Sequence, residues 1–444
     1  MKKIVIGLVL FYLRTLAKIQ LKKFNPVVIG VGGASGKTSL TRIIYLILKE
    51  KYKVRQGMGK NSETGIPLNI LNINIDSYSV FSWFKVLIVA PLKVLFDWRN
   101  FDVYIAEMGI DGPSEPKNMS YLLKIIKPQI SVLTNISFEH SQYFEPLVKN
   151  QDPKSKQTEI LNLTANQESL LITSLLKDDT AIVNGDDENI KKYLSEVNAE
   201  LITISLKNRK SDFYIERIDQ ELDRFTVNYV HNGKKYKINL DHPLPNHFAY
   251  SFMYALAVSA KLGIEEENAI RFLEKNFSLP PGRMSIFKGK NNSIIIDSSY
   301  NNATLTPILD ILDFLQKIEV KRRKVAIIGD MRELGSMSKD QHEQVAEKIL
   351  QTADFAILIG PLTNQFIAPV LEKNKFKFLS FPNFTTAKSE ILNRIEKNDL
   401  VLVKGSQNPL YLERVVEMLL ENSSDKDKLC RRGSFWDKKR QESL

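Results

Sequence analysis

From residue 25 onward, short apolar runs alternate with stretches whose apolar residues recur every three or four positions. The runs Val27–Val31, Val103–Glu107, Ile130–Thr134, Ser169–Ile172 and Ala181–Asn184 predict buried strands, with helices between several of them. That alternation predicts an α/β fold built on a mostly parallel sheet. Residues 201–240 break the pattern. Phe213-Tyr214-Ile215, Phe225-Thr226-Val227 and Tyr236-Lys237-Ile238 are brief, and Asn232-Gly233 is a hairpin signal, so antiparallel strands appended to the sheet are expected. Ala249–Leu262 predicts a helix closed by Gly263, and Pro280-Pro281-Gly282 predicts a domain boundary. Beyond it, Ile294–Asp297, Val325–Gly329, Phe355–Gly360 and Leu400–Lys404 predict a second, smaller, doubly wound Rossmann-like domain.

The two ends differ from this body. Ile4 to Leu13 is an apolar run of ten, too short to span a bilayer. It sits among Lys2, Lys3, Arg14, Lys18, Lys22 and Lys23 with no acidic residue, which predicts a basic amphipathic helix at a membrane surface. Val80–Phe96 is a second apolar stretch, interrupted by Lys85, Pro91 and Lys93. Core packing is the alternative for both, or, for the first, a helix docked on its own protein. After Glu421 the composition turns polar and charged, which predicts a mobile tail with Phe435-Trp436 as its available anchor. The expected domains are therefore 1–24, 25–280, 281–421 and 422–444.

With 444 residues, 43% hydrophobic and 25% charged, the chain reads as soluble and globular. Of the net charge of +11, residues 1–24 contribute six and residues 425–444 three. The body is nearly neutral, which argues against a broad nucleic-acid surface. The single cysteine, Cys430, excludes intrachain disulfides and cysteine-based zinc sites and fits a reducing cytoplasm.

Chemistry concentrates in Gly30-Val31-Gly32-Gly33-Ala34-Ser35-Gly36-Lys37-Thr38-Ser39, between a strand and a helix predicted over 40–49. Glycines let backbone N–H groups turn toward phosphate oxygens, Lys37 adds a full positive charge, and the Thr38 hydroxyl suits Mg²⁺. The strict phosphate-loop pattern would have glycine where this chain has Val31. These residues predict a nucleoside triphosphate site. Glu107, at the end of its strand, is well placed for Mg²⁺. His140, beyond the strand that ends at Thr134, is a candidate metal ligand, with a structural histidine as the alternative.

Taken in order, the motifs resemble those of the Mur ligase superfamily, most closely its MurF type, the UDP-MurNAc-tripeptide:D-alanyl-D-alanine ligases. They are the phosphate loop, Asn61-Ser62-Glu63-Thr64-Gly65-Ile66-Pro67-Leu68, Glu107-Met108-Gly109, and Thr134-Asn135-Ile136 with His140. There follow Asn184-Gly185-Asp186-Asp187, Pro281-Gly282-Arg283-Met284 and Asp297-Ser298-Ser299-Tyr300-Asn301. Gly329-Asp330-Met331-Arg332-Glu333-Leu334-Gly335 with His342, and Lys404-Gly405-Ser406, complete the series.

The resemblance implies an ATP- and Mg²⁺-dependent amide ligase of peptidoglycan precursor synthesis. A substrate carboxylate would become an acyl phosphate, and an amine would then displace phosphate. It implies catalytic roles for Lys37, Glu107, His140 and Arg283. Nucleotide binding would fall to Gly33, Ala34, Ser35, Gly36, Lys37, Thr38, Ser39, Asn184, Arg283, Asp297 and Tyr300. Thr38, Glu107 and His140 would serve the metal, with Lys156 if carbamylated. Arg283 would reach ATP on domain closure. A cytoplasmic monomer acting on muramoyl-peptide and peptide substrates is expected, touching the inner face of the membrane and binding no nucleic acid.

Four departures from the family pattern stand out. Only 26 residues precede the first strand, where the family carries a UDP-gripping domain. Gln157 stands where a carbamylated lysine is usual, one place from Lys156. His247-Phe248-Ala249-Tyr250-Ser251-Phe252 lacks two asparagines, and Asp297-Ser298-Ser299-Tyr300 lacks one carboxylate. A lipid-linked or poly-γ-glutamate-type acceptor, or a non-catalytic ATP-binding membrane protein, therefore remain alternative readings.

Overall fold

Among the described residues, nine strands form one sheet and six form another. The computed structural model describes residues 2–442 except 58, 76–78, 139–140, 151, 301–304 and 407–409. Helix α1 (Lys2–Phe24) precedes strand β1 (Val27–Gly32), helix α2 (Lys37–Leu48), strand β2 (Val54–Gln56) and helices α3 (Gly65–Ile70) and α4 (Val80–Phe96). Next come β3 (Val103–Glu107), α5 (Met119–Leu123), β4 (Ile130–Leu133), α6 (Pro153–Thr173), β5 (Thr180–Asn184), α7 (Glu188–Lys191) and β6 (Glu200–Ser205). Strands β7 (Phe213–Gln220), β8 (Phe225–His231) and β9 (Lys234–Leu240) and helices α8 (His247–Lys261) and α9 (Glu266–Asn276) follow. The sheet order is β2-β3-β1-β4-β5-β6-β7-β8-β9, and every pair from β2 to β7 is parallel. Asn232 and Gly233 both have positive φ, so β8 and β9 join through a two-residue turn and are antiparallel, as expected.

The second sheet is built from β10 (Ser285–Gly289), β11 (Ser293–Ser298), β12 (Lys324–Gly329), β13 (Phe355–Ile359), β14 (Phe378–Phe381) and β15 (Leu400–Lys404). Helices α10 (Leu305–Lys317), α11 (Ser338–Thr352), α12 (Ala368–Lys373), α13 (Phe384–Arg394) and α14 (Glu413–Leu419) accompany it, and α15 (Ser434–Glu442) ends the described chain. The order is β10-β11-β15-β12-β13-β14, parallel apart from β10. Val325, Ile327, Ile357, Val401 and Val403 are fully buried, as strands covered on both faces require.

Two compact units result. The first comprises Met1–Ile218, Val227–Ile238 and His247–Phe277; the second comprises Asp219–Thr226, Asn239–Asn246 and Ser278–Leu444. The break at Ser278 falls beside Pro280-Pro281-Gly282, but 219–226 and 239–246 group with the second unit, which a boundary at 280 did not anticipate.

Two expectations need correction. Ser169–Ile172 is not a strand but the last turn of α6, a helix opened by Asp152, whose carboxylate accepts the Ser155 N–H at 2.9 Å. A four-residue apolar run has no periodicity of its own, and the preceding helix claimed it. The 422–444 tail is docked: Leu429, Cys430 and Arg431 are buried in the second unit, whereas Phe435 of the expected anchor is exposed. The 1–24 helix is docked on its own unit, the alternative open for it in the sequence. Leu10, Leu13, Ala17 and Gln20 of α1 are buried within the first unit. Among the described residues, Ile4–Phe24 is also the one helix long and apolar enough to cross a membrane.

Candidate functional site

Strand β1 leaves the sheet between β3 and β4, with Val31 opposite Glu107 on one side and Gly32 opposite Leu133 on the other. This is the point where the strand order switches, and the C-terminal edge there is where ligands of parallel sheets sit. Residues 33–36 form the turn. Gly33 has φ +113°, and a Cβ there would lie 2.3 Å from Thr134 Oγ1 and 2.9 Å from the Asn135 carbonyl oxygen. Gly36, at φ +82°, precedes helix α2, which is held in place by Leu40, Ile43, Ile44 and Ile47.

The first half of the loop is braced from two sides. The Gly33 N–H donates to Glu168 Oε2 at 3.1 Å, the Ala34 N–H to the Asn135 carbonyl at 2.9 Å, and the Ser35 N–H to Asn135 Oδ1 at 3.0 Å. Thr134 Oγ1 lies 3.2 Å and 3.0 Å from the Gly32 and Ser35 carbonyls. In this state these three amides hold the loop's shape. The end presented to an anion is the first turn of α2: Gly36, Lys37, Thr38 and Ser39. Lys37 Nζ donates to the Gly33 and Ala34 carbonyls, so in this state the ammonium is folded over its own loop.

Thr38 Oγ1 donates to Glu107 Oε1 at 2.9 Å. Glu107 is 3% exposed, and its second oxygen, Oε2, is buried without a hydrogen-bond partner. A buried carboxylate oxygen lacking a donor is costly unless a cation completes it. A hydroxyl and a carboxylate fit Mg²⁺, which commonly takes few protein ligands and completes its shell with water and phosphate. Among the described residues no group of three or more His, Cys, Asp or Glu side chains converges as a self-sufficient cage. His140 lies outside the described residues. Lys156 Nζ is 3.6 Å from Glu145 Oε2. Asn184 Oδ1 accepts the Asp186 N–H at 2.9 Å, closing the turn after β5.

The remaining candidates form a site within the second unit. Arg283 lies between Gly282 and Met284, both at positive φ, with its guanidinium 5.3 Å from the Tyr300 ring centroid. Tyr300 N–H donates to the Gly282 carbonyl at 3.0 Å. Asp297 is fully buried at the end of β11; Oδ1 accepts the Ser299 N–H at 3.0 Å, and Oδ2 has no hydrogen-bond partner. Burial pushes its carboxyl above the usual range, against the pull of Ser299, Arg431 and Arg432. Next to Ser298 in the β11–β15 register is Lys404, also fully buried. Burial, then the charges of Arg283 and Arg431, bring its ammonium down to about 7, with Asp297 opposing. Arg283, Asp297 and Tyr300 are thus gathered with Lys404 on one side of this domain.

Sequence reasoning missed several of the residues that hold these sites. Glu168, which braces Gly33, was hidden because the adjoining residues read as a strand; on a helix, Glu168 and Leu171 share the face that meets Gly32 and Gly33. Arg431 pairs with buried Glu413 and donates to the Ser299 and Tyr300 carbonyls at 3.1 and 2.8 Å. Its one signal is the apolar pair Leu429-Cys430 inside a charged tail. The departures from the family pattern also acquire partners: Phe248 packs on Phe252 and Phe277, and Tyr250 OH donates to Asp186.

A phosphate loop at the switch point of one parallel sheet, followed by a second doubly wound domain, defines a class of nucleotide-dependent ligases. Residues 31–259 match the family model described as the Mur ligase middle domain, and residues 282–407 the Mur ligase, glutamate ligase domain. The chain belongs to the Mur ligase family, whose members are ATP-dependent amide-forming enzymes. It is 24% identical over 413 residues to the UDP-N-acetylmuramoyl-tripeptide--D-alanyl-D-alanine ligase of Borreliella burgdorferi, covering 91% of this chain and 77% of that one. With the same ligase of Bacillus subtilis it shares 25% over 418 residues, 92% of this chain and 79% of the relative. The crystal structure of MurF ligase from Thermotoga maritima in complex with ADP has the same fold, with a TM-score of 0.72, 22% identity, and coverage of 94% and 84%.

Proposed function

We propose that the chain is an ATP- and Mg²⁺-dependent ligase that joins D-alanyl-D-alanine to a muramoyl-tripeptide in the cytoplasm. The observation that carries the ATP-driven part is the Thr38–Glu107 pair, with its unpartnered Oε2, beside the mouth of the phosphate loop. The substrates follow from the relatives, whose names specify this tripeptide and dipeptide. When bound, ATP supplies the phosphoryl group that activates a carboxylate, and Mg²⁺ offsets the charge on its phosphates.

The protein's own part is positioning and electrostatics. The α2 N-terminus and Lys37 attract the phosphate chain, for which Lys37 exchanges its loop carbonyls for phosphate oxygens. Thr38 and Glu107 would hold the cation. Glu168 and Asn135 keep the loop from collapsing when the anion leaves. Arg283, Asp297 and Tyr300 are assigned to the nucleotide on the strength of their motifs, as is His140 to the metal. We take the enzyme to act as a monomer, without nucleic acid.

The test is phosphate release from ATP and Mg²⁺ with UDP-MurNAc-tripeptide, with and without D-Ala-D-Ala. Release that needs both, with the pentapeptide product seen by mass, is expected. Nucleotide binding without release would replace the muramoyl substrate with another carboxylate. A lipid-linked carboxylate is the second reading, favoured by the exposed apolar residues of α1.

A further inference from the structure

Helices α1 and α4 pack on each other and on residues Leu68, Leu71 and Ile73 in and beyond α3. Their inner faces are Leu13 on α1 and Val86 and Ala90 on α4, all buried. Three polar links fasten the pair: Tyr12 OH donates to the Leu87 carbonyl at 2.9 Å, and Lys23 Nζ donates to the Val94 and Asp97 carbonyls at 2.9 and 3.0 Å.

The outer faces are apolar and exposed. On α1 they are Ile4, Leu8 and Phe11, spaced by four and three residues. On α4 they are Phe84, Ile88, Leu92 and Leu95, again at helical spacing, after Phe81 at 78% exposure. Because both helices turn inward onto the same underlying residues, both stripes face away from the body of the unit. Exposed apolar stripes of this kind mark an interaction site.

Charge selects the partner. Across Lys2–Phe24 and Val80–Phe96 there are eight lysines and arginines and no aspartate or glutamate. Lys18 lies close enough to Arg14 and Lys127 for their charges, after its partial burial, to press its ammonium below the ordinary range. At one edge Trp98 is 73% exposed, with Lys23 Nζ 3.6 Å from its ring centroid. Basic helices free of acidic residues, an exposed aliphatic face and an interfacial tryptophan are the chemistry of a surface lying in anionic lipid.

We propose that the α1–α4 pair is a two-helix docking surface for an anionic phospholipid bilayer, lying in the plane of the interface. The pair does not span. Turning α1 across the bilayer would strip Leu13 and Ala17 from their contacts and place Arg14 and Lys18 in hydrocarbon. The inference is independent of the ligase reading.

The test is flotation of the full chain with phosphatidylcholine vesicles, with and without phosphatidylglycerol. An Ile88→Glu/Leu92→Glu variant, altered only at exposed positions, is compared for binding, melting temperature and ATP-analogue binding. We expect the wild type to float with anionic vesicles, to be released by alkaline carbonate, and to lose roughly tenfold or more of its binding in the variant. Melting and nucleotide binding should hold. Equal flotation of the variant, or of wild type with neutral vesicles, would overturn the proposal, as would resistance to carbonate. So would a dimer that the variant dissolves in a protein that binds no vesicles, since the face would then belong to a second copy. If the variant melts early, the milder Phe84→Ser/Leu95→Ser exchange decides the same question.

Discussion

Thr38 and Glu107 lie 69 residues apart in sequence and meet at 2.9 Å, hydroxyl to carboxylate. The contact exists because β3 lies directly beside β1, with Val31 opposite Glu107, so a strand end and a helix start share one edge. It leaves one buried carboxylate oxygen unsatisfied, an imbalance that a bound cation would relieve.

Glu107→Gln keeps the shape and removes the charge. The Mg²⁺ concentration giving half-maximal binding of a fluorescent ATP analogue should rise about tenfold, or about 1.4 kcal/mol. The melting temperature should not fall. An unchanged Mg²⁺ midpoint would remove Glu107 from the metal site.

Gly33 and Gly36 both have positive φ, but their surroundings differ. A methyl at Gly33 collides with Thr134 and Asn135, whereas at Gly36 nothing lies within 4 Å. Gly33→Ala should therefore destabilise by about 3 kcal/mol and Gly36→Ala by only about 1 kcal/mol. Urea unfolding of the two variants measures this, and equal losses would contradict the collision.

His342 ties helix α11 to the turn after β12. Its Nε2 accepts the Met331 N–H at 3.2 Å, so Nδ1 carries the proton and donates to the Ser338 carbonyl at 2.6 Å. Burial holds this imidazole below its ordinary value of 6.5. Between the folded and unfolded values the unfolded chain binds more protons, so stability is complete above 6.5 and is lost as pH falls below it. Urea midpoints should drop more steeply from pH 7 toward pH 5 in wild type than in His342→Gln. Parallel pH profiles would show that His342 does not titrate as its contacts require.

Cys430 reports on the docked tail. Burial, then the charges of Asp297 and Glu413, push its thiol up to about 12. A thiol-specific chromogenic reagent at pH 8 should find no reactive thiol in the native protein and one after denaturation. Prompt native reactivity would mean that the tail is not docked.

Much of the fold was legible because parallel strands buried on both faces leave continuous apolar runs. The phosphate loop was equally plain, since its glycines and Lys-Thr pair are local necessities of the backbone. The bracing of the loop was not. Glu168 reaches Gly33 from a helix more than a hundred residues away, and nothing local distinguishes it from a solvated glutamate. The tail shows the same limit: Arg431 looks like one more surface charge until Glu413 and the Ser299 and Tyr300 carbonyls enclose it.

By itself, then, the sequence determined many of the strands, the phosphate loop and the basic, apolar character of α1, because these depend on residues near one another in the chain. Only the tertiary structure decided which carboxylate meets Thr38, what holds the loop open, and which faces of α1 and α4 stay exposed. Those outcomes depend on strand order and helix packing, which set distances between residues that sequence spacing leaves unrelated.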